Sequence, residues 1–344
     1  MTHKRTARKL LINITVIILM IFIVIQVLQN SLHDIFEGVS QTKPIILAGV
    51  STLGIGFLLL EGKNMAVIAR EMSPSFSWRD GFAGYCYIAF YRVLTFGTGT
   101  TISEVIYYRK KEVTTAEAVG ITSEHMIFYK VGVLVWAVTG FVLQLGHLYR
   151  QSPLIIVLVI YGLVMTGGMI FLIVFLLNNE AFHRWLIKFF DRRVKQTFLH
   201  NLFDKLNRQI TSLRSVIQTS ATDKAKLHKV LVLNCLKLVC WYAIPYITFI
   251  GSGQRVPFVQ SFCLVAIAVA VGGTIPSPAG IGSFDLVYVL LFRPLTGTVD
   301  AISSLLLYRF ASYALPFLFG IVVALRMKGL AVKNELSELR TTQK

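Results

Sequence analysis

Four ionisable residues stand in stretches that are otherwise apolar: Glu104, Glu124, Asp285 and Arg309. A charge at the centre of a bilayer costs ~2.5–3.5 kcal/mol on insertion scales, so such residues face a partner or a cavity. Asp285 closes the run Gly-Gly-Thr-Ile-Pro-Ser-Pro-Ala-Gly-Ile-Gly-Ser-Phe-Asp, residues 272–285. Pro276 and Pro278 cannot sit inside a continuous helix, because proline lacks the N–H and clashes with the preceding turn. The flanks, 261–271 and 286–292, are apolar. The run therefore predicts a break between two half-helices, which a membrane tolerates only where the backbone is buried in protein or lines a cavity. Helix starts at a break present free N–H groups and a positive dipole end to an anion such as phosphate. Gly280 and Gly282 let a headgroup approach the backbone, Arg309 can hold a phosphate, and the carboxylates Glu104, Glu124 and Asp285 can receive a cationic group. A site of both signs suits a zwitterionic or aminoacylated phospholipid head. Tyr108, His125 and Tyr308 are candidates to line it. A purely structural salt bridge between Asp285 and Arg309 accounts for those two charges equally well.

Nothing points to metal or cofactor chemistry. Cys86, Cys235, Cys240 and Cys263 all fall in apolar segments without a CxxC pair, and the seven histidines are scattered. No metal site, no cofactor and no catalytic set is expected.

The elements that must position these residues are membrane helices. Of 344 residues, 55% are hydrophobic and 15% charged, and mean hydropathy is +0.66, which is the composition of an integral membrane protein. The net charge of +17 is then read as basic cytoplasmic loops meeting anionic lipid, not as nucleic-acid binding. Six runs are long enough to span: 10–28, 44–60, 121–145, 153–177, 231–250 and 302–325. The first follows a basic N-terminus and lacks a cleavage site, so it is read as an uncleaved span. Two interrupted apolar regions remain, 81–108 and 256–293.

Loop charge orients the chain. Lys63, Arg70 and Arg79 place 61–80 inside, and Arg109, Lys110 and Lys111 do the same for the far end of 81–108. That region is therefore a re-entrant pair entered from the cytoplasm. The stretch 178–229 carries eleven Lys or Arg against four Asp or Glu, and the tail carries Arg326, Lys328, Lys333 and Arg340. Both are inside, so 256–293 is a second re-entrant pair entered from the opposite face. The expected fold is an all-α polytopic membrane protein, a single domain over 1–344 with both termini cytoplasmic. Its first half is 10–177, a basic loop fills 178–229, and its second half is 231–325. Within the loop, 180–217 has apolar residues at three- and four-residue spacing with basic residues between. It is read either as amphipathic helix on the anionic lipid surface, with Arg184 to Lys229 as the contact, or as a cytoplasmic hairpin packed on the protein.

Two breaks of opposite orientation imply an inverted repeat. The first break, at Gly97 and Gly99, ends in Ser103-Glu104 as the second ends in Ser283-Phe284-Asp285. Thr115-Ala116-Glu117-Ala118 resembles Thr298-Val299-Asp300-Ala301, and each is followed by a polar pair, Glu124-His125 or Tyr308-Arg309. Lys130 and Lys237 are read as snorkelling to an interface.

Pro276-Ser277-Pro278-Ala279-Gly280-Ile281-Gly282-Ser283-Phe284-Asp285 resembles the Pro-x-Pro-Gly-Gly-x-Gly-x-x-Glu signature of the lysylphosphatidylglycerol synthase transmembrane family, the flippase-like membrane region of bacterial multiple-peptide-resistance proteins. Tyr308-Arg309 followed by Tyr313, Pro316 and Gly320 fits that family's last span. Ser103-Glu104 stands where relatives carry Gly-Glu, and Glu124-His125 where many carry Glu-Arg. The chain departs in Ala279 for Gly, Asp285 for Glu, a first break without Pro, and His125 for Arg.

The resemblance implies translocation of a phospholipid, such as lysylphosphatidylglycerol, across the bacterial cytoplasmic membrane, a role tied to antibiotic resistance. In full-length relatives a cytosolic domain transfers lysine to phosphatidylglycerol; the chain reaches Lys344 soon after its last span, so a transporter is expected rather than a lysyltransferase. Two alternatives stay open: a lipid-modifying enzyme working with a separate soluble partner, and an ion-coupled solute transporter. A homo-oligomer is a further candidate assembly.

Overall fold

The computed structural model describes residues 40, 42–95, 97–179, 223–275 and 282–342. The expected first span at 10–28, the amphipathic loop at 180–217, and Pro276, Pro278 and Gly280 lie outside the described residues. Among the described residues every regular element is helical. In chain order these are α1 (Pro44–Ala69), α2 (Trp78–Leu94), α3 (Thr100–Arg109), α4 (Thr115–Gln151), α5 (Pro153–Asn178), α6 (Lys224–Tyr242), α7 (Ile244–Gly251), α8 (Phe258–Gly272), α9 (Ser283–Arg309), a π-helical turn (Phe310–Ala314) and α10 (Leu315–Thr342).

Local chemistry sets the starts. Ser77 and Asp80 form a reciprocal capping box on α2, and Thr114 and Glu117 form another on α4; each satisfies backbone donors that a helix start leaves open. Ser152 caps α5 ahead of Pro153, and Asp223 caps α6. Pro245 sits in the first turn of α7, so the run read as one span over 231–250 is bent between Tyr242 and Ile244.

Among the described residues, five stretches are long and apolar enough to cross a membrane: Pro44–Ala69, Thr115–Gln151, Pro153–Phe175, Lys224–Gly251 and Ser283–Gly329. The others are short. At 1.5 Å per residue, the ten residues of α3 and the fifteen of α8 reach roughly 15 and 22 Å, less than the ~30 Å hydrocarbon core. α8 is apolar on every side and almost wholly buried, from Ser261 through Ala268, as a helix surrounded by protein must be. α5 is its opposite: Leu154, Val157, Val164 and Phe171 are all exposed, the composition of a lipid-facing helix.

Three boundaries differ from the sequence reading. α1 runs nine residues past Leu60, so the start of the stretch taken for a loop is helix. The second interrupted region and the last span are joined: α9 passes from Ser283 to Arg309 with only a kink at Gly297 (φ 81°). The last span then crosses a π turn before α10.

The two halves repeat one order: short helix, break, short helix, second irregularity, long helix. The packing between them repeats as well. Gly140 of α4 lies against the backbone of Cys263 on α8, where an added Cβ would meet the Cys263 carbonyl oxygen at 2.9 Å. Gly320 of α10 lies in the same way on α2, where a Cβ would meet the Cys86 carbonyl oxygen at 2.3 Å. Each long helix thus lies against the short helix of the other half through a glycine. Gly320→Ala is expected to lower the thermal unfolding temperature of the detergent-solubilised protein, at a cost of ~1–3 kcal/mol for overpacking. Gly168→Ala, where a Cβ meets nothing within 4 Å, is expected to leave it unchanged.

Candidate functional site

The charged residues gather into two centres. The first forms where α1, α3, α4 and α6 meet. On α1, Phe57, Glu61, Asn64 and Ile68 recur at helical spacing and are buried. α6 answers with Val230, Asn234, Lys237 and Trp241. The break between α2 and α3 turns at Gly97 (φ 87°), a conformation open to glycine at no steric cost. Gly99 is the residue before α3, and its N–H donates to Thr95 Oγ1 at 2.9 Å. One turn later Glu104 is delivered to the centre, and the capped start of α4 brings Glu124 and His125.

Lys237 Nζ donates to Glu61 Oε2 at 2.5 Å, with the lysine side chain wholly inaccessible. The ammonium also lies 5.3 Å from the Tyr129 ring centroid, a cation–π contact. The other oxygen of Glu61, Oε1, faces His125 Nε2 at 3.1 Å, and His125 Nδ1 lies 2.9 Å from Glu104 Oε1. Asn64 donates to Glu61 Oε2 at 3.4 Å, and Asn234 donates to Asn64 Oδ1 at 3.1 Å. At the edge of this cluster Lys226 pairs with Glu71, just beyond α1, and reaches Glu124 Oε1 at 3.6 Å. Tyr108 is fully buried beside the carboxylates.

The second centre is at the start of α9. Gly282 (φ 93°) precedes the helix. Its N–H donates to Asp285 Oδ2 at 2.8 Å, so this carboxylate caps the helix start. The other oxygen, Oδ1, accepts from Arg309 Nε at 2.8 Å and Nη2 at 2.6 Å. Arg309 lies 5.0 Å over the Phe284 ring, which stacks on Tyr308 at 5.1 Å. Asp285 keeps 26% side-chain exposure and Arg309 13%, so the pair is reachable where the first centre is closed.

Of the residues singled out in the sequence, Glu104 meets His125, and Asp285 meets Arg309 beside Tyr308 and Gly282. Glu124 turns away from both pairs toward Lys226. Lys237 does not snorkel: Glu61 holds it in the interior. Glu61, Asn64, Asn234 and Lys226 were missed. The available signal was that Lys226, Asn234 and Lys237 share one face of α6, matched by Glu61 and Asn64 three residues apart on α1.

The residues of the two centres share a sequence spacing. Glu104 and Asp285, and His125 and Arg309, stand roughly 180 residues apart, the same interval that relates Gly140 to Gly320. In each centre an acid just after the break pairs with a base further along the chain, Glu104 of α3 with His125 of α4, and Asp285 with Arg309 at the far end of α9. A family model described as the lysylphosphatidylglycerol synthase TM region matches residues 10–320. The chain belongs to that family. Comparison with curated proteins returns no match.

Lys237→Met leaves Glu61 buried without its ammonium. It is expected to cost ~3–5 kcal/mol, the usual effect of breaking a buried pair. The double variant Glu61→Leu with Lys237→Met is expected to recover most of that loss, because it removes both charges. Thermal unfolding of the purified protein in detergent measures both.

Proposed function

We propose that this member of the lysylphosphatidylglycerol synthase TM family translocates a phospholipid across the bacterial cytoplasmic membrane. The headgroup engages the Asp285–Arg309 centre while the acyl chains stay in the bilayer. The observation that carries this reading is the partly open ion pair at a helix start, Asp285 with Arg309 beside Gly282. A phosphate arriving there can take the guanidinium fork that Asp285 now occupies, because arginine binds carboxylate and phosphate with the same two-pronged geometry. The freed carboxylate then faces any cationic group on the head, which suits a zwitterionic or aminoacylated lipid.

In this reading the breaks before α3 and α9 are the tips of two re-entrant pairs of opposite orientation, set among six full spans with both termini cytoplasmic. Glu104 and Glu124 belong to the equivalent centre of the first half. The basic loop from Arg184 to Lys229 meets the anionic inner leaflet. Lengths support the re-entrant placement: α3 and α8 are too short to cross.

In proteoliposomes carrying labelled aminoacyl-phosphatidylglycerol, Arg309→Ala and Asp285→Asn are expected to slow transbilayer movement at least about tenfold, corresponding to ~1.4 kcal/mol of barrier. Arg309→Lys, which keeps the charge and loses the fork, is expected to fall between. Native rates for both Arg309→Ala and Asp285→Asn would place the headgroup elsewhere.

A further inference from the structure

The contacts around His125 fix a proton count. Both ring nitrogens face carboxylate oxygens, Nδ1 to Glu104 Oε1 at 2.9 Å and Nε2 to Glu61 Oε1 at 3.1 Å. A neutral imidazole has one N–H and one bare nitrogen, and an ionised carboxylate only accepts. With both carboxylates ionised and the ring neutral, one contact would set a lone pair against an anionic oxygen. Both contacts are hydrogen bonds only when the trio holds one further proton, on the ring or on a carboxyl. Charge gives the same count: Lys237 offsets Glu61 through Oε2, and the remaining charge on Glu104 is cancelled by one proton on the trio. The neighbours do not replace it. Facing the ring are Glu61 of α1 and Glu104 of α3; Lys237 of α6 faces Glu61, Tyr108 of α3 and Tyr85 of α2 lie within electrostatic reach of the carboxylates, and Glu124, next to His125 on α4, faces Lys226 of α6, which also holds Glu71. Among the described residues Lys237 is the positive charge that touches the trio, and it is committed to Glu61, while Lys226 stands against Glu71 and Glu124.

We propose that the Glu61–His125–Glu104 trio is a proton-binding site that couples movement of the lipid to the proton gradient. The loaded trio ties α1, α3 and α4 together. Loss of the proton to water leaves an unbalanced carboxylate and a lone-pair contact in a closed interior, and that pushes the helices apart. The equivalent pair in the second half has Arg309, which keeps its charge at any physiological pH, whereas histidine exchanges a proton in that range. One half therefore carries a permanent pair and the other a releasable one. The coupling rests on the lipid-translocation reading for its cargo; the proton site does not.

Two measurements on the full chain test this. In lipid nanodiscs, nitrogen-15 NMR of histidine-labelled protein is expected to show one imidazole with both ring nitrogens hydrogen-bonded to carboxyl groups. That signal should vanish in His125→Gln and change in Glu104→Gln. An ordinary exposed-histidine titration for His125 would overturn the site. In proteoliposomes, a one-unit pH difference is expected to shift the steady-state leaflet ratio of labelled aminoacyl-phosphatidylglycerol about tenfold, the value for one proton per lipid. His125→Gln, which retains one donor and one acceptor without titrating, is expected to show no response of the leaflet ratio to the same gradient. If native protein moves lipid but ignores the gradient, coupling is wrong and translocation stands. If no lipid moves under any condition, translocation is wrong, and the NMR result alone decides the proton site.

Discussion

An ammonium and a carboxylate with almost no access to solvent tie the second half of this protein to the first. Lys237 on α6 and Glu61 on α1 are 2.5 Å apart, with side chains 0% and 4% exposed. Neither charge is tolerable there alone, and their mutual attraction offsets desolvation only with good geometry and further hydrogen bonds. Asn64, His125 and the Tyr129 ring supply those contacts. The pair therefore dictates more than its own position. α1 and α6 must lie side by side at this depth, and α4 must present His125 to the second oxygen of Glu61. α3 must start where Glu104 can close the other side of the ring, which the short break at Gly97 and Gly99 allows.

The second half uses the same plan with weaker enclosure. Asp285 divides its oxygens between the Gly282 N–H and the Arg309 guanidinium, much as Glu61 divides its own between Lys237 and His125. The interlock of the halves is reciprocal, since Gly140 and Gly320 each give up a side chain so that a long helix can touch the backbone of the other half. Such crossings tie the relative placement of the two centres to main-chain contacts, which deform less readily than side chains.

Much of this was legible in the residues. Apolar runs of about twenty residues gave α1, α4 and α5, because a bilayer imposes that length. The clustered glycines and prolines marked the breaks, and a charge in an apolar run marked Glu104, Glu124, Asp285 and Arg309. What escaped has a common cause: hydropathy averages over a window, and a charge at the end of a run looks like its boundary. Glu61 follows Leu60 directly and reads as the first residue of a loop, although α1 continues to Ala69. Lys237 looked like a residue that reaches for an interface, since its partner stands 176 positions away. The Asp285–Arg309 pair was foreseen as a pair; the role of Asp285 in capping α9 was not.

The two centres are joined by stacked rings. Phe57, one turn before Glu61, stacks on Trp241 at 3.6 Å; Trp241 meets Tyr308 edge-on at 6.4 Å; Tyr308 stacks on Phe284 beneath Arg309. At the far end of this chain the helix is irregular on both sides of Arg309. Gly297 kinks α9 twelve residues before it, and the π turn Phe310–Ala314 follows at once. A π turn leaves helix carbonyls out of register, and Arg92 of α2 donates to one of them, Ser312 O, at 3.0 Å. α2 thereby holds the turn that positions Arg309, and α2 is also the helix on which Gly320 rests. Ring contacts thus link α1 near Glu61 to Arg309, and Arg92 links α2 to the turn beside it. Both routes end at the segment whose hydrogen-bond register is already irregular, which is where a helix yields at least cost.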